Sequence, residues 1–269
     1  MSSPLPTPLG GPSPAEVPLP LAPLERVVVQ VRFPTILKID DHSVVADFQE
    51  LIRAEYPRLQ ELRNQAVRIE MVGAEAPKAI PMTTIVWQFS DAPGAWKVSL
   101  AREALTVETS SYQSRQDVLV RWETVLRAMK EVFRPTLVER IGVRYIDRIV
   151  APHFDRFESL IDTRLLGSIF AELKSQLKSS LGEAAFTVEE GDLLLHWGVM
   201  QPGMTPDPGA IAPLPHPSFV LDIDVSSPSQ REFIPDALVP SFRSLTERAY
   251  SVFRFAVTDE FLKIYGADA

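Results

Sequence analysis

The sequence predicts an α+β protein, in which an antiparallel sheet carries amphipathic helices packed mainly on one of its faces. Two patterns predict this class: apolar residues alternate with polar ones in several short segments, and they recur at helical spacing in others. The composition agrees, because 45% of the 269 residues are hydrophobic. That fraction supplies a sizeable core and excludes a wholly disordered chain.

The first half, residues 25–150, has the order strand, helix, strands, helix, strand. This order is that of a ferredoxin-like β-α-β-β-α-β arrangement elaborated by an extra strand. Ser114 and Asp117 have the spacing of a capping box, which predicts where the second helix begins. The predicted segments are, in order, 27–33, 44–52, 85–89, 96–109, 115–133 and 138–150.

The second half, residues 151–269, contains the same kinds of element. We expect it to pack with the first half as one compact unit. A hairpin turns at Glu190 and Gly191, and Thr258 is the expected N-cap of a final helical turn. The other predicted segments are helical stripes at 157–161 and 169–177, a strand at 219–225 and a long amphipathic helix at 238–253.

Proline is concentrated in two stretches. Residues 1–24 hold eight prolines and one charged residue, Glu16. Because proline lacks an amide donor and has a fixed φ, we expect a disordered, mobile tail, with a proline-helix ligand as the alternative. Residues 202–217 hold six prolines between two strand-like segments and predict a long, disordered surface loop.

Bulk properties exclude several functional classes. The formal charge of −8 argues against a general nucleic-acid binder, which needs a surplus of Lys and Arg. No apolar run is long enough to span a membrane, and the N-terminus lacks the pattern of a secretion signal, so we expect a cytoplasmic protein. The absence of cysteine excludes a disulfide scaffold, a cysteine nucleophile and a thiolate metal site.

Two predicted strands carry charges on their polar faces. Arg140, Arg144 and Arg148 lie on one side of the strand that begins at 138. Asp222 and Asp224 alternate with apolar residues in the strand 219–225. Since uncompensated like charges on one face repel, we expect the two strands to share a sheet with these charges facing each other.

Two functions of this charged face are open. It can be a layer of structural salt bridges, or a groove in which the arginines bind an anionic group and the aspartates bind Mg²⁺. His196, on the strand 193–200, is either a structural hydrogen-bonding residue or a general acid–base. The sequence has no G-x-S-x-G, G-x-G-x-x-G or P-loop motif and no metal-ligand spacing, so we assign no catalytic residue, metal or cofactor.

Several segments together resemble a sporadically distributed bacterial family of uncharacterised proteins of about this length. They are VVVQVRFP, FQELIRAEYP, WQFSDAPGAWKVSLAREALTVETSSY, ERIGVRYIDRI and FRFAVTDEFLKIYG. The resemblance covers nearly everything after residue 24. It implies the fold but no activity, and a patchy distribution is common for genes of defence or mobile-element loci.

We therefore expect a non-catalytic binding or assembly protein, with a protein partner or a second copy of itself, and no deep pocket that holds clustered titratable groups with shifted pKa values. One alternative is an enzyme or sensor for a phosphorylated or nucleotide ligand on the Arg/Asp face. Another is a toxin–antitoxin type of partner protein, which would need an exposed apolar patch on the helix 238–253.

Overall fold

The computed structural model describes residues 7–70, 78–173, 176–228 and 230–266, and they form an α+β fold as predicted. The strands β1 to β11 are Leu24–Arg32, Arg58–Glu70, Lys78–Ser90, Trp96–Ala101, Ala104–Thr109, Leu137–Val138, Arg140–Ile149, Ser180–Val188, Gly191–Met200, Ser218–Ser227 and Arg231–Glu232. The helices α1 to α6 are His42–Ile52, Arg115–Val132, Phe157–Leu160, Thr163–Leu173, Pro235–Ala256 and Asp259–Tyr265. Residues 1–6 of the predicted tail and 174–175 of the predicted stripe lie outside these ranges.

A nine-stranded antiparallel sheet runs through both halves, in the order β2-β3-β4-β5-β1-β7-β10-β9-β8. The strands β1 and β7 lie side by side at the junction of the halves, with Val29 opposite Val143. The short strands β6 and β11 pair separately. The two halves are therefore joined by a continuous ladder of backbone hydrogen bonds.

The two halves follow one plan. In each, a first strand is followed by helical structure, an antiparallel meander and a long helix: β1, α1, β2 to β5 and α2, then β7, α3 with α4, β8 to β10 and α5. The last strand of each meander pairs with the first strand, β5 with β1 and β10 with β7. Within the predicted bounds 25–150, which take in β7 as the closing strand, the helices and the strands of the large sheet follow the predicted β-α-β-β-α-β order with two added strands, where the sequence predicted one.

The helices cover one face of the sheet. Alternate residues of the central strands, among them Val29, Val143 and Ile223, are buried on that side. The helices α2 and α5 pack against each other above them, where the rings of Trp122 and Phe242 meet edge to face at 5.0 Å. Burial of side chains this large stabilises the fold by about 1.5–3 kcal/mol each.

Residues 7–23 lie against the folded body, which corrects the expectation of a mobile tail. The guanidinium of Arg248 in α5 donates hydrogen bonds to the carbonyl oxygens of Pro8 (2.7 Å) and Gly11 (2.9 Å). The Val17 amide donates to the Tyr250 hydroxyl at 2.8 Å, and the Leu21 amide to the Tyr265 carbonyl. Proline removes amide donors but keeps every carbonyl acceptor, and a buried arginine supplies the matching donors.

The proline-rich loop 202–217 also differs from the expectation of disorder, because it packs on the sheet face opposite the helices. Ala210 and Ile211 form a second, smaller apolar core with side chains of β7, β9 and β10. Arg148 donates a hydrogen bond to the Ala212 carbonyl at 2.6 Å. The loop therefore covers part of the Arg/Asp face.

Candidate functional site

A chamber of about 720 Å³ lies between the helix-covered face of the sheet and residues 7–23, which we call the proline-rich segment. Its floor is the strand β7, one wall is α5, and the other wall is the connection from β5 to α2. Residues 16–22 form its roof, and Leu24 of β1 lies beside Asp147 in the floor. Volumes of about 300–1,000 Å³ are typical of sites for small organic molecules. The lining residues used below are Glu16, Ala22, Leu24, Tyr112, Arg115, Tyr145, Asp147, Ala249, Tyr250 and Phe253.

Asp147 stands on the floor of the chamber because of the register of β7. Successive side chains of a strand point to opposite faces, so Asp147 shares the helix-covered face with Val143 and Tyr145. Its cross-strand neighbours are Leu24 of β1 and Leu221 of β10, and neither carries a polar side chain. The register of β1 shifts between Leu24 and Arg26 beside it, as at a β-bulge. Bulges of this kind are frequent next to binding sites, where they re-aim side chains.

The Asp147 carboxylate is buried without a partner. The residue is only 4% exposed. Within the described ranges, no donor makes a hydrogen bond to its side chain and no cation lies within ion-pair distance. Burial alone raises the pKa of Asp147 to about 7, because a low-dielectric environment disfavours the charged form. This carboxyl group therefore changes charge near neutral pH.

Aromatic rings line the same chamber as the carboxylate. The rings of Tyr112 and Tyr145 meet edge to face at 6.1 Å, and burial raises the pKa of both hydroxyls, which stay protonated at neutral pH. On the α5 wall, the rings of Tyr250 and Phe253 stack on each other with their centroids 6.0 Å apart. The Tyr250 hydroxyl accepts a hydrogen bond from the Val17 amide, so this wall also holds the roof.

Arg115, the cationic side chain among the described lining residues, already pairs with two carboxylates. Arg115, at the start of α2, lies 3.6 Å from a Glu16 carboxylate oxygen and 3.7 Å from that of Glu247. Its guanidinium sits over the ring of Tyr250 at 5.6 Å from the centroid. Arg115 therefore does not neutralise Asp147, whose charge in the ionised state has no counter-ion among the described residues.

The predicted Arg/Asp face exists on the opposite side of the sheet. The strands β7 and β10 are neighbours, and Arg140, Arg144 and Arg148 point to the same side as Asp222 and Asp224, which confirms the predicted geometry. Arg144 binds Asp222 with two hydrogen bonds, of 2.9 and 2.8 Å, and reaches Asp207 at 2.7 Å. Arg140 donates to Asp224 at 3.2 Å. The donors of these arginines are thus directed to carboxylates of the chain itself.

The other two predicted residues of this face are also engaged. The Arg148 side chain is 2% exposed and donates to Ser218, to the Ala212 carbonyl and to Glu25. His196 lies 2.9 Å from Glu183 and 3.5 Å from Asp222. An open depression of about 370 Å³ remains beside Arg140 and Asp224. Across the described chain, no group of three His, Asp or Glu side chains could hold a metal ion.

The sequence analysis missed Asp147, although the sequence contains a signal for it. The alternation of core-facing residues in β7 runs from Ile141 through Val143 and Tyr145 to Ile149, and Asp147 takes one of those positions. A carboxylate at a core-facing position is costly and needs an explanation. The expectation of no deep pocket with shifted titratable groups was wrong, because the chamber holds Asp147, Tyr112 and Tyr145.

The apolar stripe of α5 does not form an open surface. Phe242 and Leu245 are buried, and Tyr250, Phe253 and Phe255 are half-buried. The sheet covers one side of the helix, and the proline-rich segment covers another. The exposed apolar patch that a toxin–antitoxin type of partner requires is therefore not on this helix.

Comparison with protein-family models and with curated proteins finds no match for the chain. None of the helices in the described ranges has both the length and the apolar character needed to cross a membrane.

Proposed function

We propose that the protein is a non-catalytic binding protein that encloses a small organic molecule in the chamber over Asp147. One observation carries this proposal: a carboxylate that is 4% exposed, has no partner among the described residues, and faces a space large enough for a ligand. We further propose, as the sequence predicts, that it acts in the cytoplasm and together with a protein partner or a second copy of itself.

A ligand in the chamber can offset the free-energy cost of burying the charge of Asp147. An ionised carboxylate buried without hydrogen bonds or a counter-ion destabilises a fold by several kcal/mol. An apolar residue at position 147 would suit the flanking Leu24 and Leu221 better. Positions at which a chain gives up stability in this way are typical of functional sites, where a ligand supplies the missing partner.

Binding is favoured over catalysis by what surrounds the carboxylate. A general acid–base needs a second group that orients it or relays its proton, and a nucleophile needs an adjacent base. Among the described lining residues there is no histidine, and no side chain makes a hydrogen bond to Asp147. The chamber supplies partial enclosure and one carboxylate without a partner among the described residues, which suffice for recognition.

Native mass spectrometry of the protein purified from its own host tests the proposal. We expect the wild-type chain to carry the mass of a small organic molecule. Ala22→Trp fills the chamber from its roof and should lose that mass. Ala46→Trp places the same ring on the exposed side of α1, away from the chamber, and should retain it.

Retention of the bound mass by Ala22→Trp would contradict the proposal and move the site elsewhere, the depression beside Arg140 and Asp224 being next. A wild-type chain that carries no small molecule but is isolated with a stoichiometric protein partner would favour the assembly role instead. The same spectrum reports both results.

A further inference from the structure

We infer that the molecule held in the chamber is a protonated amine: an ammonium group against Asp147 on a compact apolar or aromatic body. This inference rests on the proposed function and names the chemical class of its ligand. It follows from the charge of the lining, the unused acceptors on Asp147 and the aromatic walls.

The charge of the lining favours a cation. The charged lining residues are Glu16, Arg115 and Asp147, which sum to −1 + 1 − 1 = −1 when Asp147 is ionised. Glu247, behind the wall, adds a second carboxylate to Arg115. An anionic ligand would face the Asp147 carboxylate with no free cation among the described lining residues to offset the repulsion. A monocation neutralises the chamber.

Hydrogen-bond capacity restricts the ligand to cations with N–H donors, of which a primary ammonium group is the most compact. An ionised carboxylate offers about four acceptor sites and no donor, and none of those on Asp147 is used by the described residues. A primary ammonium group has three donors and matches this arrangement. A neutral hydroxyl brings one donor and leaves the charge uncompensated. A quaternary ammonium group has no N–H donor.

The walls suit the rest of such a molecule. Tyr145 lies two residues from Asp147 on the same face of β7, so their stems are about 7 Å apart. Tyr145 and the other rings of the lining are the groups with which a cation at the carboxylate could make a cation–π contact, which reaches about 6 Å from a ring centroid. Leu24, Ala249 and Phe253 supply apolar surface for the body of the ligand.

Three probes of matched shape test the inference: 2-phenylethylammonium, the neutral 2-phenylethanol and the anionic 3-phenylpropanoate. Binding is followed by amide chemical shifts in NMR, which also locate the site. At pH 8.5 we expect the cation to bind at least tenfold more tightly than either isostere, with shifts at residues 145–147 and 249–253. Asp147→Asn should remove that preference without abolishing the fold.

Asp236→Asn is the matched control. It makes the same chemical change on an exposed residue in the first turn of α5, about 15 Å along the helix from the chamber wall. We expect it to leave the affinity for the cation unchanged. If it weakens binding as much as Asp147→Asn does, the preference reflects the total charge of the protein and the inference is overturned.

The pH dependence provides a second readout. Cation binding should weaken about tenfold from pH 8.5 to pH 6, because Asp147 becomes protonated over that range. Glu16, Arg115, Tyr112, Tyr145 and Tyr250 also face the chamber, and Tyr265 lies near Asp147. The ring of His153 also packs against Tyr265 at 5.3 Å, so the same titration of Asp147→Asn, which should show no such change, assigns the pH dependence to Asp147.

Two results would overturn the inference. If 2-phenylethanol or 3-phenylpropanoate occupies the chamber as tightly as the cation, the ligand class is wrong while the proposed function stands. If no probe shifts the amides of the chamber at millimolar concentration, the amine assignment also falls. Mass spectrometry of the host-purified protein then decides the proposed function separately.

Discussion

One carboxylate carries most of the functional argument. Asp147 occupies a position that strand alternation assigns to the core, and its neighbours across the sheet are Leu24 and Leu221. The raised pKa is the electrostatic consequence of that position. At neutral pH the residue is therefore divided between a neutral form that suits the fold and a charged form that suits a cationic ligand.

The free energy of unfolding should therefore depend on pH through the protonation of Asp147. The folded-state pKa of Asp147 is about 7 and lies above the value of about 3.8 expected in the unfolded chain. Between those values the folded state holds the extra proton, so the free energy of unfolding falls as pH rises from 4 to 7. At pH 8 the loss is on the order of 4 kcal/mol at most, since one pKa unit corresponds to about 1.4 kcal/mol.

Asp147→Asn should remove this loss. We expect the variant to be more stable than the wild type at pH 8, by about 1–4 kcal/mol, and equally stable near pH 4. Urea denaturation at pH 4, 6 and 8 measures the difference, with Asp236→Asn as the control. A variant that is less stable than the wild type at every pH would show that the carboxylate has a structural partner.

Arg144 and Arg140 provide a contrasting pair on the other face. Arg144 binds Asp222, whose side chain is 2% exposed, whereas the Asp224 partner of Arg140 is 29% exposed. Arg144→Met removes both hydrogen bonds to the buried Asp222 carboxylate and leaves only His196, 3.5 Å away, beside it, so we expect a loss of about 3 kcal/mol in the free energy of unfolding. Arg140→Met should lose about 0–1 kcal/mol. Equal losses in urea denaturation would contradict the structural role assigned to Arg144.

Alternation of residues was enough to predict the Arg/Asp face, because the pairing of β7 with β10 follows from complementary charge. The same alternation puts Asp147 on the core-facing side, although that position was not singled out from the sequence. The chamber itself could not be predicted, since its walls come from β7, α5 and the segment 16–24, which only the tertiary fold brings together.

At the scale of elements, the proline-rich segment is a structural part of the chamber. It is held by hydrogen bonds to α5, α6 and the turn between β8 and β9, through residues such as Arg248, Tyr250 and Glu189. Composition predicted its lack of helix and strand correctly, because proline limits the local backbone. Its position on the folded body depends on hydrogen bonds from Arg248 to the backbone carbonyl oxygens of Pro8 and Gly11, which the amino-acid composition does not reveal.

Deletion of residues 1–22 should therefore lower the melting temperature by about 4–8 °C. The loss of several hydrogen bonds and of the cover over α5 corresponds to about 2 kcal/mol, and 1 kcal/mol shifts the midpoint of a chain this size by about 2–4 °C.

Arg248→Met in the full chain should reproduce part of this decrease in melting temperature. Arg243→Met, exposed on the same helix, should not. An unchanged melting temperature after the deletion would show that the segment is not docked in solution.

The strand β2 shows a limit of the pattern analysis. Residues 58–63 at its start are exposed or half-buried, and Arg, Gln and Glu alternate there with few apolar residues. An edge strand has only one neighbour and tolerates polar side chains on both faces, so it lacks the alternation that predicts inner strands. The sequence therefore predicted the meander of the first half without its outermost strand.

At the scale of the whole molecule, β1 and β7 connect the halves. Their ladder runs from Leu24 opposite Asp147 to Arg32 opposite Arg140. The sequence predicted that the halves pack together, but not their shared plan, because the repeated order of elements is carried by different residues in each half. Core clusters that cross this junction also join the helices of both halves.

We therefore expect the protein to unfold in one cooperative transition. Separation of the halves would break the β1–β7 ladder and expose the buried contact of Trp122 with Phe242. Differential scanning calorimetry should give a calorimetric enthalpy equal to the van't Hoff enthalpy. Two resolved transitions would mean that the halves are independent domains.

Titration of Asp147 in the free and the amine-bound protein tests the proposed site most directly. Carbon-13 NMR of the aspartate carboxyl groups follows the titration, and Asp147→Asn identifies the resonance. We predict a pKa of about 7 for Asp147 in the free protein and a lower pKa when 2-phenylethylammonium is bound, because a cation stabilises the ionised form. A pKa near 4 that does not respond to the amine would contradict it.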